Sequence, residues 1–144
     1  MQIMSVNRDQ SEKIFQKVKN VEGATITTGL PVAFALGVSN DGVNAVIDNA
    51  AADHPGFLGV AVQDIPNNEY GTVQTAGFVS SALISNVGTS ITINVGDPLV
   101  PGPAGFFSGA PTYANSGFKW LQAASNVPAA ISAAAYVSGL IRLS

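Results

Sequence analysis

A chain of 144 residues with a net charge of -3 and no cysteine is the size of one domain, large enough to bury a sizeable core. The acidic balance and the lack of a basic stripe argue against nucleic acid as a direct partner, and the absent thiols remove disulfides and thiolate metal sites. Charged residues are 10% of the chain, where about a quarter is usual, so a surface of Ser, Thr, Asn, Gly and Ala suits a protein packed against other subunits, although a neutral secreted domain has the same composition.

Charge is also unevenly placed. Arg8, Asp9, Glu12, Lys13, Lys17, Lys19 and Glu22 crowd the first part, whereas beyond Glu69 only Asp97, Lys119 and Arg142 remain. Residues 1–11 read as an arm, with Met1, Ile3, Met4 and Val6 apolar ahead of a polar run, and residues 12–144 read as a single β domain. No basic start followed by an apolar run suggests a leader, and Gly, Pro, Asn and Ser interrupt every apolar run before membrane-spanning length, so a soluble protein is expected.

Ser11 to Val21 fits both a helical face and an amphipathic strand, and the β-branched run Thr25 to Thr28 behind it favours the strand. Gly29-Leu30-Pro31 marks a corner before a short buried strand over Val32 to Leu36. Asp41-Gly42 signals a hairpin turn into a weak strand over Val43 to Ile47, and residues 48–56 read as a loop. Phe57 to Val62 is apolar enough to be buried on both faces. Ile65 to Gly71 supplies Pro, two Asn and Gly for a turn, and Thr72 to Ile84 returns as the second arm of a hairpin.

Ile91 to Val95 alternates strictly and predicts a half-buried strand ended by Gly96-Asp97-Pro98, with Leu99-Val100 as a short continuation. Pro101 to Ser116 is dense in Gly and Pro and is expected to be irregular, carrying Phe106, Phe107 and Tyr113 as anchors onto a neighbouring subunit. Phe118 to Leu121 and Tyr136 to Leu143 read as strands. The Ala-rich stretch between them, from Asn126 to Ala135, suits either a short helix or a tight packing seam. No internal repeat is evident. Many short strands between turns predict an all-β fold, a compact barrel-like domain of short antiparallel strands with an extended N-terminal arm and at most one short helix.

Chemistry finds little to work with. His54 is the only histidine and reads as a solvated loop residue, and no sequence feature brings a serine to Asp53 and His54. Asp48 with Asp53, and Asp64 with Glu69, are the available carboxylate pairs, but turn acids commonly serve as caps. Gly102-Pro103-Ala104-Gly105 lacks the Lys-Ser/Thr ending of a phosphate loop, and Asp41, Asp48 and Asp53 do not fit a calcium loop. The reading is a non-enzyme with no cofactor and no metal.

KVKNVEGATITTGLPVAF (17–34), SNDGVNAV, FLGVAVQDIPNNEYGTVQTAGFV and GDPLVPGPAG (96–105) resemble head decoration, or capsid cement, proteins of tailed bacteriophages, in particular small marine and cyanobacterial forms. The similarity spans most of residues 13–105 and rests on G-x-x-I-x-x-G-x-P-V, G-V-A, Y-G-x-V-Q and G-D-x-L-V-P, which are structural glycines and strands. The resemblance implies a β-barrel-like or β-tulip domain that assembles as a homotrimer on the outer surface of an icosahedral capsid. Made in the bacterial cytoplasm, it would clamp neighbouring major capsid subunits after the head expands. It implies a capsid-contacting arm over Met1 to Arg8, with Met1, Ile3, Met4, Val6 and Arg8 as contacts. A tail, baseplate or head-fibre component is the alternative within the same class. A small-ligand or carbohydrate-binding barrel with Trp120, Tyr113 and Phe106 in a cleft is the alternative outside it.

Overall fold

The computed structural model describes residues 12–35, 42–47, 57–85, 92–102, 104–108, 119–128 and 135–143. The arm, the loop over 48–56, Tyr113 and residues 129–134 lie outside them. The described residues hold nine strands and no helix: β1 (Ile14–Asn20), β2 (Pro31–Phe34), β3 (Asn44–Ile47), β4 (Phe57–Ala61), β5 (Tyr70–Ile84), β6 (Pro98–Val100), β7 (Phe107–Ser108), β8 (Lys119–Ala123) and β9 (Ala135–Leu143).

Five of these close on themselves in the order β1-β3-β2-β4-β5, with β5 returning to β1. The all-β barrel expected from the short runs and turns is therefore present, as is the hairpin over 57–84, whose arms pair antiparallel at Val60↔Gln74 and Ala61↔Val73. One ladder between strands departs from the antiparallel expectation. β1 and β3 run parallel through Lys19↔Asn44 and Asn20↔Ala45, because the chain enters both from the same end of the barrel.

β5 is 15 residues long and serves two rings. Its first half pairs with β1 and β4, and its second half pairs antiparallel with β9 from Gly77↔Ile141 to Ile84↔Ala135. From β9 the sheet continues through β8 and β6 to β7. There the Phe106 N–H donates to the Leu83 carbonyl at 2.7 Å and the Ser85 N–H donates to the Phe106 carbonyl at 2.8 Å, a parallel bridge that brings the last strand back to β5. The far half of the sheet thus closes into a second five-stranded ring.

The two rings are one motif built twice, which overturns the expectation of no repeat. Ile26 and Ile65 exchange backbone hydrogen bonds of 3.0 and 2.8 Å, as do Ile93 and Val127 at 2.9 and 2.8 Å. The Gly29 N–H donates to the Ala61 carbonyl at 2.8 Å, and the Gly96 N–H donates to the Ala123 carbonyl at 2.8 Å. An Asp64 carboxylate oxygen accepts from the Thr28 N–H at 2.8 Å, where the Asn126 side-chain oxygen accepts from the Val95 N–H at 2.8 Å. Beneath these lie two short sequence echoes, Ile-x-x-Gly-x-Pro at 26–31 and 93–98, and Ala-x-x-Asp/Asn-Ile/Val-Pro at 61–66 and 123–128. They escape a linear reading because the loops between them differ in length.

The structure also corrects four local expectations. Ile93 is a single bridge, and the alternating run ends at once in a turn where an Asp97 carboxylate oxygen accepts from the Asn94 N–H at 2.7 Å and Gly96 takes a φ of 95°. Thr25 to Thr28 behaves likewise, contributing only the Ile26 bridge before the turn at Gly29, whose φ is 89°. β7 lies inside the stretch expected to be irregular, since Leu99↔Ser108 and Val100↔Phe107 pair it with β6. Val127 is in a bridge, so no helix begins at Asn126.

Each ring encloses a core. Val18, Ile26, Val32, Ala45, Ile65 and Val73 fill the first, and Ile84, Ile93, Leu99, Phe106, Leu121 and Val137 are among those filling the second. β4 stands between them, buried at all five positions as its apolar run predicts: Leu58 and Ala61 join the first cluster while Phe57 and Val60 join the second. β5 crosses from ring to ring at Gly77, whose φ of 90° turns the strand. The buried Gln74 amide straddles that turn, donating to the Ala76 carbonyl at 3.1 Å and to the Phe78 carbonyl at 2.9 Å.

Candidate functional site

The polar groups that the barrels bury are spent on architecture. Asn20 is fully buried at the end of β1, and its amide donates to the Ala24 and Ile65 carbonyls at 2.7 Å each while its side-chain oxygen accepts from the Glu22 N–H at 2.8 Å. A fully buried amide whose two donors and oxygen are bonded to backbone groups is held in place as a structural device. Glu22 in turn accepts from the Ile47 N–H at 2.9 Å, tying the loop after β1 to β3.

Asp64 is the acid of the turn pair with a resolved electrostatic environment. It accepts from the Thr28 N–H at 2.8 Å and from the Thr28 hydroxyl at 2.9 Å. The backbone bond first and the hydroxyl second hold its carboxyl below the usual 3.8, with a small opposing effect of burial. That is a cap joining two turns, as expected of turn acids. A general acid needs the opposite shift. Among the described residues no three His, Asp or Glu side chains gather into a set able to hold a metal ion. Asp48, Asp53 and His54 lie outside those residues.

The proposed anchors separate. Phe106 has no exposed surface in the single chain and packs edge-to-face on Phe57, with ring centroids 5.9 Å apart and planes at 84°. It therefore fills the protomer's own core and is neither an anchor for a neighbour nor the wall of an open cleft. The backbone bridge to β5 fixes this, drawing the ring inward. Phe107 lies in β7, and Tyr113 is outside the described residues, as are Met1, Ile3, Met4, Val6 and Arg8.

What the described surface offers instead is apolar. Ile14, Phe15, Tyr70, Val95 and Tyr136 are each more than half exposed, on a chain with few charges to cover them. Ile14 and Phe15 open β1, next to the arm. β1 pairs with β5 along its length, but its registered pairing with β3 is confined to Lys19 and Asn20. On the second barrel an open, mainly apolar groove of about 350 Å³ is lined by Phe78, Val95, Ala123, Ala124 and Leu140, with Gln122 as its polar wall, its amide donating to the Gly96 carbonyl at 3.1 Å. Sequence reasoning missed this groove, because it reads Val95 and Leu140 only as members of two separate strands. The signal that would have exposed it is the second Ile-x-x-Gly-x-Pro, which puts Val95 in a turn.

The geometry therefore defines a doubled β-barrel whose accessible features are apolar surfaces. No protein-family model matches the chain, and a search of curated proteins returns no match.

Proposed function

We propose that the protein is a virion structural protein, a capsid decoration or cement protein that assembles as a homotrimer and clamps neighbouring major capsid subunits on the expanded head of a tailed bacteriophage. The observation that carries the reading is the pairing of scarce charge with exposed large apolar side chains, above all Ile14 and Phe15 at the start of the strand that follows the arm. A strand edge flanked by apolar side chains suits main-chain pairing with an extended segment of a partner, which demands little of the partner's sequence. Several symmetry-related contacts, each weak alone, combine through effective concentration into a lasting clamp.

The motifs behind the resemblance fit the same role. Gly29, Pro31, Gly71, Gly96 and Pro98 build the two barrels, and a cement protein needs a rigid body between its contacts more than a reactive site.

Co-sedimentation with expanded and unexpanded heads tests the proposal, together with the solution mass by light scattering. A trimer that pellets with expanded heads is expected. A monomer that fails to pellet would sink the reading. Removing residues 1–8 is expected to weaken pelleting while leaving the circular dichroism spectrum intact, and unchanged affinity would refute the arm's role.

A further inference from the structure

Within one chain, the second barrel already sits on the first in a defined way. The Leu83 N–H donates to the Gly29 carbonyl at 3.0 Å. A Cβ added to Gly29 would lie 3.1 Å from the Tyr136 ring and 2.9 Å from the Leu83 nitrogen, so the turn of the first barrel is covered by Tyr136 and Leu83 of the second. The duplication gives each of these residues a counterpart. Gly29 answers to Gly96. Tyr136 answers to Tyr70, and Leu83 to Lys19, because Lys19↔Tyr70 in the first barrel holds the place of Leu83↔Tyr136 in the second.

The backbone bond itself has no free counterpart, since the Lys19 N–H donates to the Val43 carbonyl at 2.8 Å and the Gln122 amide donates to the Gly96 carbonyl at 3.1 Å, but at the free ends of this two-unit stack the side-chain surfaces are open. A Cβ on Gly96 would meet nothing closer than the Gln122 side chain at 4.0 Å, and around it lies the apolar groove with Phe78, Val95 and Leu140. At the other end Tyr70 is 60% exposed, beside a half-buried Lys19. An exposed tyrosine on the first barrel and an open, mainly apolar glycine turn on the second are thus left without a neighbour among the described residues.

We propose that copies of this chain associate head to tail, the Tyr70 edge of one copy's first barrel seating in the Gly96 groove of the next copy's second barrel. The contact would repeat between molecules the packing of Tyr136 on Gly29, without the backbone bond that accompanies it within one chain. Such an interface is heterologous, so it closes into a ring where the rotation per copy divides a full turn. Three chains closed this way would make a ring of six barrels, with contacts alternating within and between chains. The inference rests on the duplication and not on the capsid reading, and it names the surfaces through which the proposed trimer would form.

The test uses the full-length protein and its mass by sedimentation velocity, with circular dichroism as the folding control. Wild type is expected to be oligomeric, and Tyr70→Glu and Leu140→Asp are each expected to be folded and monomeric. An equimolar mixture of the two variants is expected to form dimers and nothing larger, because one supplies an intact groove and the other an intact Tyr70. Val95→Lys replaces Leu140→Asp if the latter does not fold. Wild type that stays monomeric, variants that stay oligomeric, or a mixture that stays monomeric overturns the proposal. A photocrosslinker at position 95 identifies the occupant: crosslinks to the Tyr70 segment of another copy are expected, and crosslinks within one chain to residues 1–11 overturn it. Capsid co-sedimentation is read separately, so a head-to-tail oligomer that binds no capsid defeats the functional proposal alone, while a capsid-binding protein whose mixture fails to pair defeats this one alone.

Discussion

Ile26 and Ile93 hold the same place in two barrels, each exchanging a pair of backbone hydrogen bonds with one residue across its ring and each without exposed surface. Both cap a core just before a glycine turn. Truncating either to Ala removes a buried side chain at a site held by backbone bonds, where collapse into the cavity is limited, so each is expected to cost about 2–5 kcal/mol. Urea unfolding of the two variants checks this. Because β5 and β4 serve both cores, either variant is expected to unfold the whole chain in a single transition, and a separate early transition in one of them would contradict the shared wall.

Asn20 stands where the second barrel has Ile84, yet it cannot be exchanged for an apolar residue without loss. In Asn20→Leu the Ile65 carbonyl keeps the bond from the Ile26 N–H, but the Glu22 N–H and the Ala24 carbonyl lose their side-chain partner. Each orphaned group costs about 1–3 kcal/mol. A loss on the order of 2–4 kcal/mol is expected, read as a fall in the urea midpoint with an unchanged slope.

Gly77 and Gly23 separate two costs that usually travel together. Both have positive φ, 90° and 91°, but a Cβ at Gly23 meets open space while one at Gly77 would run into the Glu12 carbonyl oxygen. Gly23→Ala is expected to cost about 1–2 kcal/mol from the left-handed backbone alone. Gly77→Ala is expected to cost ~1–3 kcal/mol beyond that, from overpacking against backbone that cannot swing away. Equal losses in thermal unfolding would show that the crossing of β5 between rings relaxes freely.

Asp64 makes stability depend on acid pH with a defined sign. Its carboxyl is held below 3.8 by the Thr28 bonds, so the unfolded chain binds the proton more readily. The contribution is fully present above the unfolded value, and it is lost as pH falls below 3.8 and through the lower folded value. The melting temperature of wild type is expected to fall more steeply over that range than that of Asp64→Asn, which has no such proton to bind. An NMR titration midpoint at or above 3.8 would contradict the geometry.

Local chemistry was enough to place most of the strands. Apolar runs bounded by Gly, Pro and Asn located β1, β2, β4, β5, β8 and β9, because burial and turn propensity act over a few residues and leave a pattern in the chain. Asn68, in the turn read from Ile65 to Gly71, takes a φ of 64°, the conformation that Asn tolerates. Scarcity of charge and the solvated turn acids were equally legible, since neither depends on what is distant in sequence.

Pairing over long separations was decided only by the fold. Ile93 sits in an alternating run, yet its partner Val127 and the Asp97 turn beside it allow one bridge and no strand. Phe106 lies among glycines and prolines, where an exposed anchor was the natural reading, until its bonds to Leu83 and Ser85 drew it into the core against Phe57. The duplication belongs here too. Six-residue echoes at Ile26 and Ile93 are too short to stand out in a sequence, but hydrogen bonding aligns them because closing a five-stranded ring requires the same turn in the same place. The sequence by itself determined a charge-poor β protein built from short strands. Tertiary structure decided that it is two rings sharing one strand, and which glycine turn is covered and which is left open.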